Sequence, residues 1–187
     1  MSEQENSFVV RTIDSFETFA LDCRKLAAER LASITGKTWE QVEIDDWDRL
    51  LFSSNMTMIT LAGKDLRVFI KVHYRPKKTK ATLSHIKSNI FDMFNEYTNL
   101  LAGAIKQMLF ESGVVCGLSL PNSLSGIDEV ILSDIAKSNR FKDCFSLKSN
   151  DLELFVTIST DVTSDNVKNS ILACKAEDID SGEVEFL

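Results

Sequence analysis

From Leu66 to Tyr74 the chain alternates: Leu66, Val68, Ile70, Val72 and Tyr74 fall on one side, and Arg67, Lys71 and His73 on the other. A period of two belongs to an extended strand with its apolar side on a core, and the polar partners predict that its second side is wet. Gly63-Lys64-Asp65, just before it, supplies a short turn, and Leu50 to Leu61 is rich in β-branched and apolar residues. The two segments therefore predict an antiparallel hairpin. A hairpin alone is marginal in water, so other elements must cover its apolar side.

Three further patterns supply that cover. Phe16, Phe19, Leu26, Ala27, Leu31 and Ile34 recur at helical spacing after a capping Asp14-Ser15 and before Gly36. Pro76 ends the first hairpin, and Thr79 to Ser84 leads into a longer helix expected to reach about Glu111 and to be closed by Ser112-Gly113. Phe141 to Leu147 and Leu152 to Ile158 flank Ser149-Asn150-Asp151 and predict a second hairpin. Between these, Thr38 to Asp48 (with Trp39, Val42, Ile44 and Trp47) reads as a short strand or irregular cover. Val114 to Leu120 reads as a strand ending at Pro121, Asn122 to Gly126 as a loop, and Ile127 to Ala136 as either a strand or a helical turn. A short helix is expected around Asn166 to Lys175, ahead of the acidic end AEDIDSGEVEFL. No sequence repeat or low-complexity tract is present. The layout is one domain over 13–160, with a polar lead at 1–12 and an acidic tail at 161–187. The fold class is α/β in the α+β sense, an antiparallel sheet packed with helices.

Composition excludes several classes. With 187 residues and a hydrophobic fraction of 44 %, the chain can bury an ordinary core. A net charge of -7 and a pI near 4.9 argue against a nucleic-acid binder, the run Arg75-Pro-Lys-Lys-Thr-Lys80 being a local basic patch. No apolar run approaches the ~20 residues of a membrane span, and MSEQENS lacks a signal-peptide core, so the expected location is cytoplasmic. Cys23, Cys116, Cys144 and Cys174 form no CxxC pair, and His73 and His85 form no ligand pattern with each other. Neither a disulfide framework nor a metal site of the chain's own is expected.

The chemistry is concentrated in FDMFNEYTNLLAGAIKQML, Phe91 to Leu109. On a helix, Ile90, Phe94, Tyr97, Leu101, Ala104, Ile105 and Met108 make one broad apolar side. Opposite them, Asp92, Glu96, Asn99 and Gly103 are spaced by four, three and four residues and stack in one narrow stripe. Mid-helix, Gly103 costs about 1 kcal/mol relative to alanine. With Ala102 beside it, it leaves room for another surface to come close.

The stretch NEYTNLLAGAIKQMLFESGVVCGLSLPNSLSG, Asn95 to Gly126, resembles the CheC/CheX family of chemotaxis phosphatases, which remove phosphate from CheY-type response regulators. That family carries an acidic or serine residue, three residues, Glu, two residues, Asn, then a spacer before Pro. This chain offers Asp92, Glu96, Asn99 and Pro121. The 21 residues between Asn99 and Pro121 are one fewer than the family's spacer, and the second Glu-x-x-Asn copy of CheC-like members is missing. A single-site, CheX-like protein is the closer match.

The resemblance implies a CheX/CheC-like fold, a homodimer joined through its sheets, and a phosphorylated CheY-like response regulator as partner. It makes Asn99 and Glu96 the catalytic pair, Asn99 orienting the attacking water and Glu96 docking the regulator's lysine. Asp92, Gly103 and Pro121 become docking residues. No cofactor of the chain's own is implied, Mg²⁺ being brought by the regulator. The rival readings are a non-catalytic regulator-binding adaptor and a flagellar switch component.

Overall fold

The computed structural model describes residues 3–44, 55–75, 89–125, 140–149 and 152–173. Expectations for Trp47, the basic residues 76–80, His85, the stretch 127–136, Cys174 and the acidic end 176–187 lie outside them.

The chain runs through α1 (Glu3–Thr35), β1 (Glu40–Glu43), β2 (Asn55–Ala62) and β3 (Leu66–Tyr74). It continues with α2 (Ile90–Glu111), β4 (Gly117–Leu118), β5 (Asn122–Ser125), β6 (Arg140–Ser149), β7 (Leu152–Val162) and α3 (Asp165–Ala173). The strands form one antiparallel sheet in the order β1-β6-β7-β3-β2-β4, with β5 also on β2. This is the expected helices-on-antiparallel-sheet class.

The topology contains a two-fold that the sequence conceals. Each half reads helix, edge strand, hairpin: α1, β1 and β2–β3, then α2, β4–β5 and β6–β7. Each edge strand pairs with the first hairpin strand of the other half, β1 on β6 and β4–β5 on β2. The second strands, β3 and β7, meet in the middle with Ile70 opposite Ile158. The two halves are thereby interlocked, and neither completes a sheet alone.

Both long helices pack the same phase inward. Phe19, Cys23, Leu26, Ala27 and Leu31 of α1 are buried at the spacing of Tyr97, Leu101, Ala104, Ile105 and Leu109 of α2. They share one core with Leu66, Val68, Ile70, Val72 and Tyr74 of β3 and with Leu152, Leu154, Val156 and Ile158 of β7. The buried Tyr97 hydroxyl donates to the Ala27 carbonyl at 3.1 Å, fixing α2 against α1. Arg24 of α1 reaches across to β6, where its guanidinium donates to both Asp143 oxygens at 2.9 and 2.7 Å and to Glu43 of β1 at 3.0 Å.

Several expectations are corrected. The helix expected to start at Asp14-Ser15 begins at Glu3, so the polar lead is largely helical; it ends as expected at Gly36, whose φ of 63° suits glycine. Of the expected wet side of β3 only Arg67 is exposed, Lys71 and His73 being buried; Met56, Cys144, Phe155 and Thr157 are buried as well. Asn122 to Ser125, expected as loop, is a strand, because its backbone finds partners on β2. The strand expected over Val114 to Leu120 is reduced to Gly117–Leu118. β7 runs to Val162 and α3 follows with Ile171 buried, so the folded elements extend past residue 160.

Candidate active site

The helix that carries the stripe is defined at both ends. Asn89 caps α2, its side-chain oxygen accepting from the Phe91 N–H at 3.2 Å, and Asp92 in the first turn complements the helix dipole. At the other end Gly113, with φ 80°, lets the Val114 N–H reach the Leu109 carbonyl and its own N–H reach that of Phe110, both at 2.9 Å. This paired arrangement satisfies carbonyls that the last turn would otherwise leave open. A helix held in this way is a rigid platform.

Its two sides are those expected. Ile90, Phe94, Tyr97, Leu101, Ala104, Ile105 and Met108 are buried, while Asp92, Glu96 and Asn99 are exposed and Gly103 is half-exposed. The structure thus brings Asp92, Glu96, Asn99 and Gly103 onto one outer line, successive members about one turn, or ~5.4 Å, apart. Ala102 is not on it. It is fully buried in the core cluster, one residue being a rotation of about 100°, and so offers a partner no clearance.

Pro121 sits between β4 and β5 on the neighbouring edge of the sheet. Leu118 pairs with Leu61 and Asn122 with Met58, while Ser119 donates its N–H to the Thr60 carbonyl at 2.9 Å. Leu120 and Pro121 therefore both oppose Ile59, which makes a bulge with one extra residue. Proline, having no N–H to pair, fits such a break in the ladder. The bulge leaves Leu120 88 % exposed.

A hydrogen-bond chain that the sequence did not reveal locks this edge to α2. The Ser123 hydroxyl donates to Asn95 Oδ1 at 3.1 Å, which leaves its oxygen to accept from Thr57 (3.3 Å) and Thr57 in turn to accept from Tyr74 (3.3 Å). Tyr74 stacks on Phe94 with ring centroids 3.9 Å apart, and burial pushes its phenol above the ordinary value. Asn95 precedes Glu96 by one residue, so the register between the bulged edge and the polar stripe is set by side chains. With Asn122-Ser-Leu-Ser read as a loop, nothing in the sequence signalled this chain.

Among the described residues, α1 does not repeat the stripe of α2. With Phe19 matched to Tyr97 and Cys23 to Leu101, the places on α1 that correspond to Glu96 and Asn99 hold Thr18 and Leu21, both exposed. Among the described residues no group of three or more His, Cys, Asp and Glu is placed to hold a metal ion. Cys23, Cys116 and Cys144 are buried and in no disulfide. No helix among the described residues is long and apolar enough to cross a membrane.

Exposed carboxylate and carboxamide groups on a helix capped at both ends, with no metal-holding cluster among the described residues, suit docking and the orientation of a water. The chain matches no protein-family model and no curated protein. Its fold is that of the CheX and CheC-like proteins. Chemotaxis protein CheX from Vibrio vulnificus is 16 % identical, with a TM-score of 0.58 over 76 % of this chain and 99 % of that one. CheX of the CheX–CheY–BeF3–Mg²⁺ complex from Borrelia burgdorferi is 16 % identical, with a TM-score of 0.52 over 81 % and 99 %. The matched chain of the FliM–SpeE complex from H. pylori is 8 % identical, with a TM-score of 0.59 over 93 % and 97 %. The resemblance carried by Asn95 to Gly126 is thus met at the level of the whole fold.

Proposed function

We propose that the chain is a phosphatase for the aspartyl phosphate of a CheY-type response regulator. The observation that carries this reading is the solvent-facing line of Glu96 and Asn99 on the capped α2, in a fold shared with a CheX that was crystallised with CheY.

In the reaction one water attacks phosphorus in line, the bond from phosphorus to the aspartyl oxygen breaks, and aspartate and inorganic phosphate leave. Positioning and charge stabilisation are nearly all that a protein contributes to such a transfer. The Asn99 carboxamide both accepts and donates, so it holds a water at the phosphorus without adding negative charge beside the phosphoryl group. Glu96, one turn earlier, meets the regulator's lysine in a charge-assisted contact that fixes the register, and Asp92 extends the docking line. Pro121 shapes the edge beside the helix. The Mg²⁺ stays with the regulator's acidic pocket, and this chain supplies no cofactor. A homodimer and a cytoplasmic location belong to the same proposal.

The likeness to the matched chain of the FliM–SpeE complex favours a second reading, because it spans more of this chain than either CheX does. On that reading the chain is a regulator-binding adaptor or flagellar switch component without catalysis. Phosphate release from a phosphorylated receiver separates the two: acceleration supports the phosphatase, and binding without acceleration supports the adaptor.

A further inference from the structure

Asp92, Glu96 and Asn99 are three side chains on one helix, and a specific protein–protein contact commonly buries ~800 Å² on each side. The same line continues along α2 through Gly103, Lys106 and Phe110, again at spacings of four, three and four. It runs there into an open groove of about 520 Å³ between α2 and the 115–118 segment, lined by Gly103, Lys106, Phe110, Val115, Cys116 and Leu118. Exposed large apolar side chains line it: Phe110 is 59 % and Val115 73 % exposed, and Leu118 is exposed too.

Gly103 opens the groove, and the fold does not require it. Beyond the adjoining stretch of its own helix, a Cβ built there meets no atom of the described residues within 4 Å, and its φ is not positive. Glycine is among the poorest helix formers, so neither packing nor backbone geometry inside this chain accounts for it. Lys106 puts a positive charge on the wall; burial pushes the neighbouring Cys116 thiol up, and Lys106 opposes that only in part.

We propose that this groove is a second docking point for the receiver domain, taking an apolar side chain flanked by a carboxylate from the surface that presents the phosphate to Asn99. The proposal rests on the phosphatase reading above. Three features argue for this occupant: the groove continues the Glu96–Asn99 line, its far wall at Phe110 is eleven residues or ~16 Å from Asn99 and so within one receiver face, and the positive Lys106 on its wall is opposite in charge to Asp92 and Glu96 at the other end of the line. A receiver would thus meet carboxylates beside its phosphate site and an apolar, basic socket farther along.

The test uses the full chain and a CheY-type receiver phosphorylated with acetyl phosphate, with Gly103→Leu and Phe110→Ser as variants. Gly103→Leu fills the groove, and the expected result is an unchanged or raised thermal midpoint with KM for the phosphorylated receiver up by about tenfold or more. Phe110→Ser should raise KM in the same direction, and kcat should hold within about twofold in both, since the orienting amide is untouched. Unchanged KM in both variants, with Asn99→Ala inactive, overturns the groove and leaves the phosphatase standing. A variant that alters self-association in sedimentation with KM unchanged assigns the groove to a second copy of this chain and likewise overturns the proposal. If Asn99→Ala is as active as the parent, or the parent does not accelerate phosphate release, the phosphatase reading fails and the groove proposal with it.

Discussion

Removing Arg24 is the sharpest probe of how the two halves hold together, because one guanidinium bridges α1, β1 and β6. Its two contacts with Asp143 are short, and the Asp143 side chain is only 8 % exposed, whereas Glu43 is 78 % exposed. Arg24→Ala leaves the Asp143 carboxylate shielded from water without its two charged donors, a change that costs about 3–5 kcal/mol. Asp143→Ala costs less, about 2 kcal/mol, since Arg24 keeps Glu43 at 3.0 Å and remains partly exposed. Glu43→Ala removes a surface partner and costs about 0–1 kcal/mol. Urea unfolding followed by circular dichroism checks the order: with m near ~2 kcal/mol/M, the Arg24→Ala midpoint falls by roughly 2 M and that of Glu43→Ala barely moves. The double variant Arg24→Ala/Asp143→Ala should recover part of the loss, because no buried charge is then left alone. Equal losses for Arg24→Ala and Glu43→Ala, or no recovery in the double variant, would refute the reasoning.

Three further outcomes follow from the packing and the stripe. Burial raises both tyrosine phenols, so the folded state stays protonated where the unfolded chain ionises; their contribution is whole below about pH 10 and is lost as pH rises beyond it. Tyr97→Phe should therefore flatten the fall in stability above pH 10 by up to about 1.4 kcal/mol per pH unit, measured by denaturation at stepped pH, and an unaltered slope would contradict it. In Gly63→Ala the new Cβ would meet the Val115 carbonyl oxygen at 2.7 Å, so a loss of about 1–3 kcal/mol is expected in thermal unfolding, and an unchanged midpoint would contradict the contact. Glu96→Lys, which reverses the proposed contact with the receiver's lysine, should weaken receiver binding and slow phosphate release together in a titration and a rate assay.

Much of this architecture was legible because it follows from period and punctuation. Alternation from Leu66 to Tyr74 gave β3, Gly63-Lys64-Asp65 the turn, and Gly36 and Gly113 the helix ends. The Asp92, Glu96, Asn99, Gly103 line was legible for the same reason, since helical spacing alone decides which residues share a face. What escaped was set by tertiary partners. Asn122 to Ser125 lacks a strand pattern and pairs only because β2 lies beside it; Lys71 and His73 read as solvated but are buried. Ala102 was grouped with its neighbour Gly103 until its phase placed it in the core. The two-fold of the fold left no repeat in the sequence because the halves share topology and burial phase, while the surface pair Glu96 and Asn99 stands opposite Thr18 and Leu21.

The measurement that bears most directly on the proposed activity is phosphate release from a CheY-type receiver phosphorylated with acetyl phosphate, with the parent chain and Asn99→Ala compared at equal receiver occupancy. The expected result is accelerated release by the parent and a loss of about 10²-fold or more in Asn99→Ala, with receiver binding largely kept. Release by Asn99→Ala at the parent's rate would contradict the assignment.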